Sequence, residues 1–214
     1  MVPTPGHQSL YTIAPTGVAR GYLYSDLLKG CVFVIDDGVY FGSDSAHHRL
    51  FNIGTLNGRV YMVENHNPTK PDSKTGNPGG QLAVSDGEKL YIYSLDGTVK
   101  IAGGKTSSDP LPFKPGMIEF QDGYFFGVDL LTNQVYASSL NDGRSWPADS
   151  FSTVNSVTTG IAAFERMLFV FGEDVTEIFH DAALSPFPYA KDITRGSQYG
   201  CFSAGSLAKA INSN

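Results

Sequence analysis

The run SLNDGRSW places Ser139, Asn141, Gly143 and Trp146 at the first, third, fifth and eighth positions of a Ser-x-Asx-x-Gly-x-x-Trp pattern. In such a block small side chains fold a tight turn, an Asx carbonyl accepts backbone N–H bonds and an indole packs beneath. The residues that could do chemistry lie elsewhere. Acids recur at Asp36, Asp37, Asp122, Asp129, Glu173 and Asp174, and two carboxylates flanking a sugar bond can hydrolyse it. Their recurrence beside turn residues has a simpler cause, because Asp tolerates turn conformations and stays solvated. The arginines are Arg20, Arg49, Arg59, Arg144, Arg166 and Arg195. Three of them converging could grip an acidic substrate, beside a tyrosine made nucleophilic by an acid. Arg20 and Arg59 fall on strands that could point at a central channel, and the other four fall in or near turns.

The histidines carry less. Neighbours on a strand point to opposite faces, so His47-His48 is no metal pair, and a solvated loop pair is expected. His7 and His66 have no Cys, Asp or Glu at ligand spacing, and His180-Asp181 reads as the polar exit of a strand. No Walker A, GxGxxG or GxSxG motif occurs, and IAGGK at 101–105 lacks the spacing of a phosphate loop. No catalytic, cofactor-binding or metal-ligating residue is assigned.

Apolar runs reveal what must position these residues. Val32–Ile35 leads through Asp37-Gly38 to Val39–Phe41, and Leu90–Tyr93 leads through Asp96-Gly97 to Thr98–Ile101. Tyr124–Phe126 leads through Thr132-Asn133 to Val135-Tyr136, and Leu168–Phe171 leads through Glu173-Asp174 to Val175 and Ile178-Phe179. Asp-Gly suits a tight hairpin because that turn needs positive φ. Each hairpin has a strand in front of it, at about 18–24, 81–85, 117–120 and 160–164. The unit is an antiparallel meander of three strands with room for a fourth.

Turn centres near 37, 96, 132 and 173 are separated by 59, 36 and 41 residues. The long interval contains NHNPTKPDSKTGNPGG, residues 65–80, a polar insertion of 16 residues whose removal leaves 43. A period of about 40 residues with four strands per unit marks propeller blades. The Ser-x-Asx-x-Gly-x-x-Trp pattern agrees, since it resembles the Asp-box of sialidases and related propellers, where it is a structural hairpin. Here Asn141, Asp142 and Gly143 are expected to make the turn, with Trp146 as its packing anchor. Strands apolar on consecutive positions suit blades buried on both faces. The helix candidate is a short stretch at 206–211. GCFSAGSLAKAI, ending at Ile211, reads as the first strand of another unit.

Composition sets the limits. Of 214 residues 17% are charged, below the usual quarter or so, with Gly 24, Pro 12 and aromatics at 12%. That balance favours a β-rich, turn-rich chain. A net charge of −6 without a Lys/Arg cluster argues against coating a duplex, although an acidic surface can line a channel through which DNA slides. Cys31 and Cys201 sit in apolar surroundings and are expected to be buried free thiols, which fits a reducing compartment. MVPTPGHQSLYTIAP has neither a basic nor an apolar leader region, and no apolar run reaches membrane-spanning length. The expectation is a soluble protein made in the cytoplasm, with no membrane partner.

Three stretches point to a family: GVARGYLYSDLLKGCVFVIDDGVYFG at 17–42; GRVYMVEN with, beyond the insertion, GQLAVSDGEKLYIYSLDGTVK; and 118–211, with FQDGYFFGVD, SSLNDGRSWPADSF, FVFGEDVTEIFHD, SPFPY and TRGSQYGCFSAGSLAKAI. The chain resembles the packaged-DNA stabilisation proteins of short-tailed bacteriophages, the tail accessory or hub proteins beneath the portal. The resemblance covers most of the chain but only the front part of the family, so the chain is expected to be the N-terminal part of a longer protein. It implies a non-enzymatic virion protein of the tail, assembled in the host bacterial cytoplasm. Copies would form a ring, a hexamer, around the tail axis and contact the portal and other tail proteins. Packaged DNA would pass through or be held without sequence-specific binding.

The reading is therefore all-β: one propeller-like domain over 1–214, built of antiparallel blades of about 40 residues and forming part of a longer ring. The inserted loop at 65–80, with Asn67, Lys70, Asp72 and Lys74, is the candidate interaction element. It lacks an aromatic anchor, and disorder in the isolated protein is its alternative. No cofactor is expected. The alternative function is a carbohydrate-active propeller, sialidase-like or glycan-binding, which requires three arginines and a Tyr–acid pair converging in the central depression.

Overall fold

The structure, a computed structural model, describes residues 17–43, 47–105 and 109–207. The first blade is β1 (Ala19–Ser25), β2 (Gly30–Ile35), β3 (Gly38–Gly42) and β4 (His47–Asn52). The second is β5 (Tyr61–Glu64), β6 (Gln81–Ser85), β7 (Leu90–Ser94) and β8 (Val99–Ile101). The third is β9 (Pro115–Gln121), β10 (Tyr124–Asp129), β11 (Gln134–Ala137) and β12 (Phe151–Thr153). The fourth is β13 (Thr158–Phe164), β14 (Met167–Gly172), β15 (Thr176–Asp181) and β16 (Tyr189–Ser197). Each blade is a four-stranded antiparallel meander in chain order.

The innermost strands β1, β5, β9 and β13 stand side by side in sequence, so the blades form an arc of a β-propeller. Alternating side chains build three apolar layers between them. Val32, Val34 and Val39 meet Leu82, Val84 and Tyr91. Ala83 and Ile92 meet Ile118, Phe125 and Trp146. Phe126, Val128 and Val135 meet Ile161, Leu168, Val170 and Phe179. Blades covered on both sides bury consecutive residues, and every residue of β6 is buried. The ring is not closed among the described residues.

Several expectations change. In the second blade the hairpin around Asp96-Gly97 is the outer pair β7–β8, and β6 is the second strand. The innermost strand is β5, four residues long and separated from β6 by the insertion. That separation is why local signals group β6, β7 and β8 into one meander. In the first blade the hairpin turn is Asp36-Asp37, with Asp36 at φ +51°. Gly38 opens β3, where a Cβ would run into the Tyr40 ring and the Arg49 guanidinium. Close approach, not positive φ, requires that glycine.

His47 and His48 begin β4 rather than a loop, with His48 tilted against Phe41 at 5.5 Å. Cys31 and Cys201 are free but only half-buried: Cys31 lies on the face of β2 opposite the core residues Val32 and Val34, and Cys201 lies in the irregular segment after β16. After β16 the described chain forms no further strand. It makes one 3₁₀ turn, Ala204–Ser206, whose Ala204 lies beside Gly160 on β13. Residues 208–211 of the helix candidate, and His7, lie outside the described residues. No helix among the described residues is long and apolar enough to cross a membrane.

Candidate functional site

The Ser139–Trp146 block connects β11 to β12 at one end of the third blade. Asn141 takes the left-handed conformation, φ +57°, and donates its N–H to Gly123 O at 2.6 Å. The acid that organises the turn is its neighbour. Asp142 Oδ1 accepts the Arg144 N–H at 3.1 Å and Nε–H at 2.7 Å, while Oδ2 accepts from Nη2 at 2.9 Å. This fork-to-fork pair is the strong form of a charge-assisted contact. Gly143 donates to Gln81 Oε1 at 2.8 Å, and Gln81 Nε2 donates to Asp142 at 3.0 Å. Trp146 is fully buried; its Nε1–H donates to Gly143 O at 2.8 Å and its ring tilts against Phe113 at 5.1 Å.

Burial pushes the Asp142 carboxyl up, but hydrogen bonds from Arg144 and Gln81 outweigh it, so the group lies below the ordinary carboxylate value. The Arg144 guanidinium is correspondingly held above its own ordinary value by the bond to Asp142. Neither group is available as an acid or base near neutral pH.

The 65–80 insertion lies between β5 and β6, at the same end of the molecule. It is held by its own Asx and Thr turns. Asn67 Oδ1 accepts from Thr69 N at 3.1 Å and Thr69 Oγ1 at 2.7 Å, and Asn67 Nδ2 donates to Asn77 at 3.2 Å. Asp72 accepts the Lys74 N–H at 2.9 Å and the Thr75 hydroxyl at 3.0 Å, bonds that hold its carboxyl below the ordinary value. Lys70 and Lys74 are exposed on the lobe. Asn65 anchors its base by accepting Gln81 N–H at 2.9 Å. Gln81 therefore joins the two sequence-selected regions, since its backbone holds the insertion and its side chain holds the Asp142 turn.

The arginines do not converge. Arg20 is buried and donates to the carbonyls of Asp36, Thr55, Asn57 and Gly58, clamping the loop between the first two blades. Arg59 reaches Gly205 O at 3.1 Å and lies over Tyr61. Arg49 pairs with Asp37 at 2.8 Å, Arg166 with Asp181 at 3.5 Å and Arg195 with Asp192 at 3.5 Å. Two Tyr–acid pairs occur among the described residues: Tyr91 O–H donates to Asp86 at 3.4 Å, and the shorter pair is Tyr189, whose O–H donates to Asp122 at 2.8 Å in the layer between the third and fourth blades. Burial, then the bond to Asp122, pushes the phenol well above its ordinary value. A nucleophilic tyrosine needs the opposite shift. At the axis a cavity of about 500 Å³ is lined mainly by apolar residues of the inner strands, among them Tyr22, Met62, Met117 and Ala162, with Glu119 as its acid.

Sequence reasoning missed Gln81, Glu64 and the Tyr189–Asp122 pair. Glu64 is buried and accepts from Ser25 Oγ at 2.6 Å and Asp26 N at 2.6 Å, joining the first blade to the second. The available signal was a polar residue closing or opening an apolar strand, in VYMVEN and GGQLAVS.

No family model matches the chain, and no curated protein matches it in sequence. Solved structures are similar in fold. BBS1N in complex with ARL6DN matches with a TM-score of 0.54 at 12% identity, over 86% of this chain and 53% of that one. Kluyveromyces lactis Hsv2 matches at 0.36 and 14% identity, over 55% of this chain and 33% of that one. The AfRom2 CNH domain matches at 0.30 and 10%, over 77% and 81%. The chain thus spans about half the length of the BBS1N chain.

Proposed function

We propose that this chain is a structural virion protein of a short-tailed phage, a tail hub or head-completion factor beneath the portal. In this role it extends or closes the DNA channel, helps retain the packaged genome and supports distal tail parts. The observation that carries the non-catalytic part is the fate of the candidate polar groups. Asp142, Arg144, Gln81, Arg20 and Tyr189 are all bound within turns and blade junctions. The phage assignment draws on the family resemblance: its most specific blocks are the Trp146 turn, the β14–β15 hairpin and the SPFPY segment entering β16. In this reading DNA passes through a ring of copies around the tail axis rather than through one propeller. The insertion, with Lys70 and Lys74 outward, is the element offered to neighbouring tail proteins.

Among the described residues the carbohydrate-active reading has no arginine cluster and no tyrosine of lowered pKa to rest on. Electron microscopy of the native particle tests the hub role: density for this chain between portal and distal tail is expected, and its absence from a portal–tail complex overturns the proposal. Turnover of a sialoside by the purified chain would overturn the non-catalytic part.

A further inference from the structure

Arg20 brings a positive charge into the joint between the first two blades, where it is 6% exposed. Its Nε–H donates to Gly58 O at 2.7 Å, its Nη1 to Asp36 O at 2.7 Å and Thr55 O at 2.6 Å, and its Nη2 to Thr55 Oγ1 at 2.8 Å and Asn57 O at 2.5 Å. Among the described residues each of these bonds ends on a neutral oxygen, and the Asp86 carboxylate reaches Arg20 through Thr55 Oγ1, at 3.2 Å from that hydroxyl. A buried guanidinium is best matched by an anion in direct contact. Two of its acceptors, Asn57 O and Gly58 O, are the main-chain oxygens on either side of the Gly58 nitrogen.

Asn57-Gly58 is the sole Asn-Gly step in the chain; wherever another asparagine has a successor, that residue carries a Cβ. Both residues are exposed, at the edge of a cleft of about 580 Å³ between β1 and β5. Gly58 has φ +86°, and no described atom outside its chain neighbours lies within 4 Å of the point a Cβ would occupy. No side chain on Gly58 crowds the approach of its nitrogen to the Asn57 carboxamide. The hydrogen bond from Arg20 to Asn57 O polarises that peptide and makes its N–H more acidic. We infer that Asn57 is a site of self-modification, and that Arg20 directs the product to isoaspartate. The Gly58 nitrogen bonds to Asn57 Cγ, the Cγ–Nδ2 bond breaks, and Nδ2 leaves as ammonia with the Gly58 proton. Water then adds to the ring at the former main-chain carbonyl, the one that Arg20 polarises, and breaks its bond to the Gly58 nitrogen, which regains a proton. A donor already in place stabilises the oxyanion formed there. The chain now runs through Cγ, and the oxygen held by Nη2 belongs to a carboxylate, the anion that the buried guanidinium lacked. Water enters and ammonia leaves, with no oxidant or reductant consumed. This chemistry is independent of the tail-hub reading, so either can fail alone.

The purified 214-residue chain is incubated in mildly alkaline buffer, folded and in urea. Its peptides are followed by mass spectrometry with electron-transfer fragmentation, which separates isoaspartate from aspartate. Asn57 is expected to convert before any other asparagine of the folded chain, with an isoaspartate-to-aspartate ratio about tenfold above that in urea. Arg20→Met, checked for folding by far-UV circular dichroism, should bring the ratio down to the urea value. A folded chain in which Asn57 outlasts another asparagine overturns the self-modification. A ratio equal to that in urea, or one that stays high in folded Arg20→Met, overturns the role given to Arg20. The wild-type comparison decides that role by itself where the variant does not fold.

Discussion

Asp142 stands at the point where the sequence pattern and the physical structure part by one residue. The pattern assigns the Asx role to Asn141, whose contribution is a left-handed backbone, while the carboxylate next to it gathers the donors. Its folded-state value is depressed, so it contributes stability that is complete above the unfolded value of 3.8 and is lost as pH falls through the folded value. Asp142→Asn is expected to cost about 1–2 kcal/mol at neutral pH. The cost should vanish in acid, so melting temperature against pH should show wild type and variant converging there. A constant difference would mean the carboxylate charge is not what holds the turn. Trp146, the single tryptophan, is fully buried against Phe113. Trp146→Ala should lower unfolding stability by about 3–5 kcal/mol, read from a urea transition by circular dichroism.

At the scale of elements, hairpins differ in how much of themselves they announce. Asp122-Gly123 has both residues at positive φ, +48° and +86°, and carries a sequence signature for that turn. Glu165-Arg166 adopts the same signs, +49° and +61°, with residue types that favour no such turn. There the pairing of β13 with β14 imposes the conformation. The connection between β4 and β5 is held the same way from a distance, because Arg20 supplies donors to carbonyls that have no strand partner. Arg20→Met should leave several of them buried and unsatisfied, costing about 3 kcal/mol. Limited proteolysis should then cut the variant within 53–60 before any other site, and equal resistance to wild type would argue against the clamp.

For the whole molecule, stability should be graded from the middle of the arc outward. Among the described residues the second and third blades have a neighbouring blade on both sides, whereas the first and fourth have one on a single side. Amides of β6, β7 and β10 should exchange slowest with deuterated solvent, and those of β4 and β16 fastest. Uniform protection across all four blades would contradict this ordering.

Period, strand composition and turn chemistry were legible in the chain alone, and they determined an all-β propeller with an Asp-box hairpin in its third blade. Those signals are local, arising from φ preferences and side-chain alternation within a few residues. The short β5 was hidden because four residues carry too little periodicity to compete with the polar insertion that follows them. What holds one blade to the next was decided only by the tertiary structure. Gln81 reaches Asp142, Tyr189 reaches Asp122 and Arg20 reaches Thr55 across blade boundaries. Such bonds exist only once the stacked sheets exclude water and leave a buried polar group nowhere else to turn. The same stacking gives the six arginines separate partners along the arc, at turns and blade junctions.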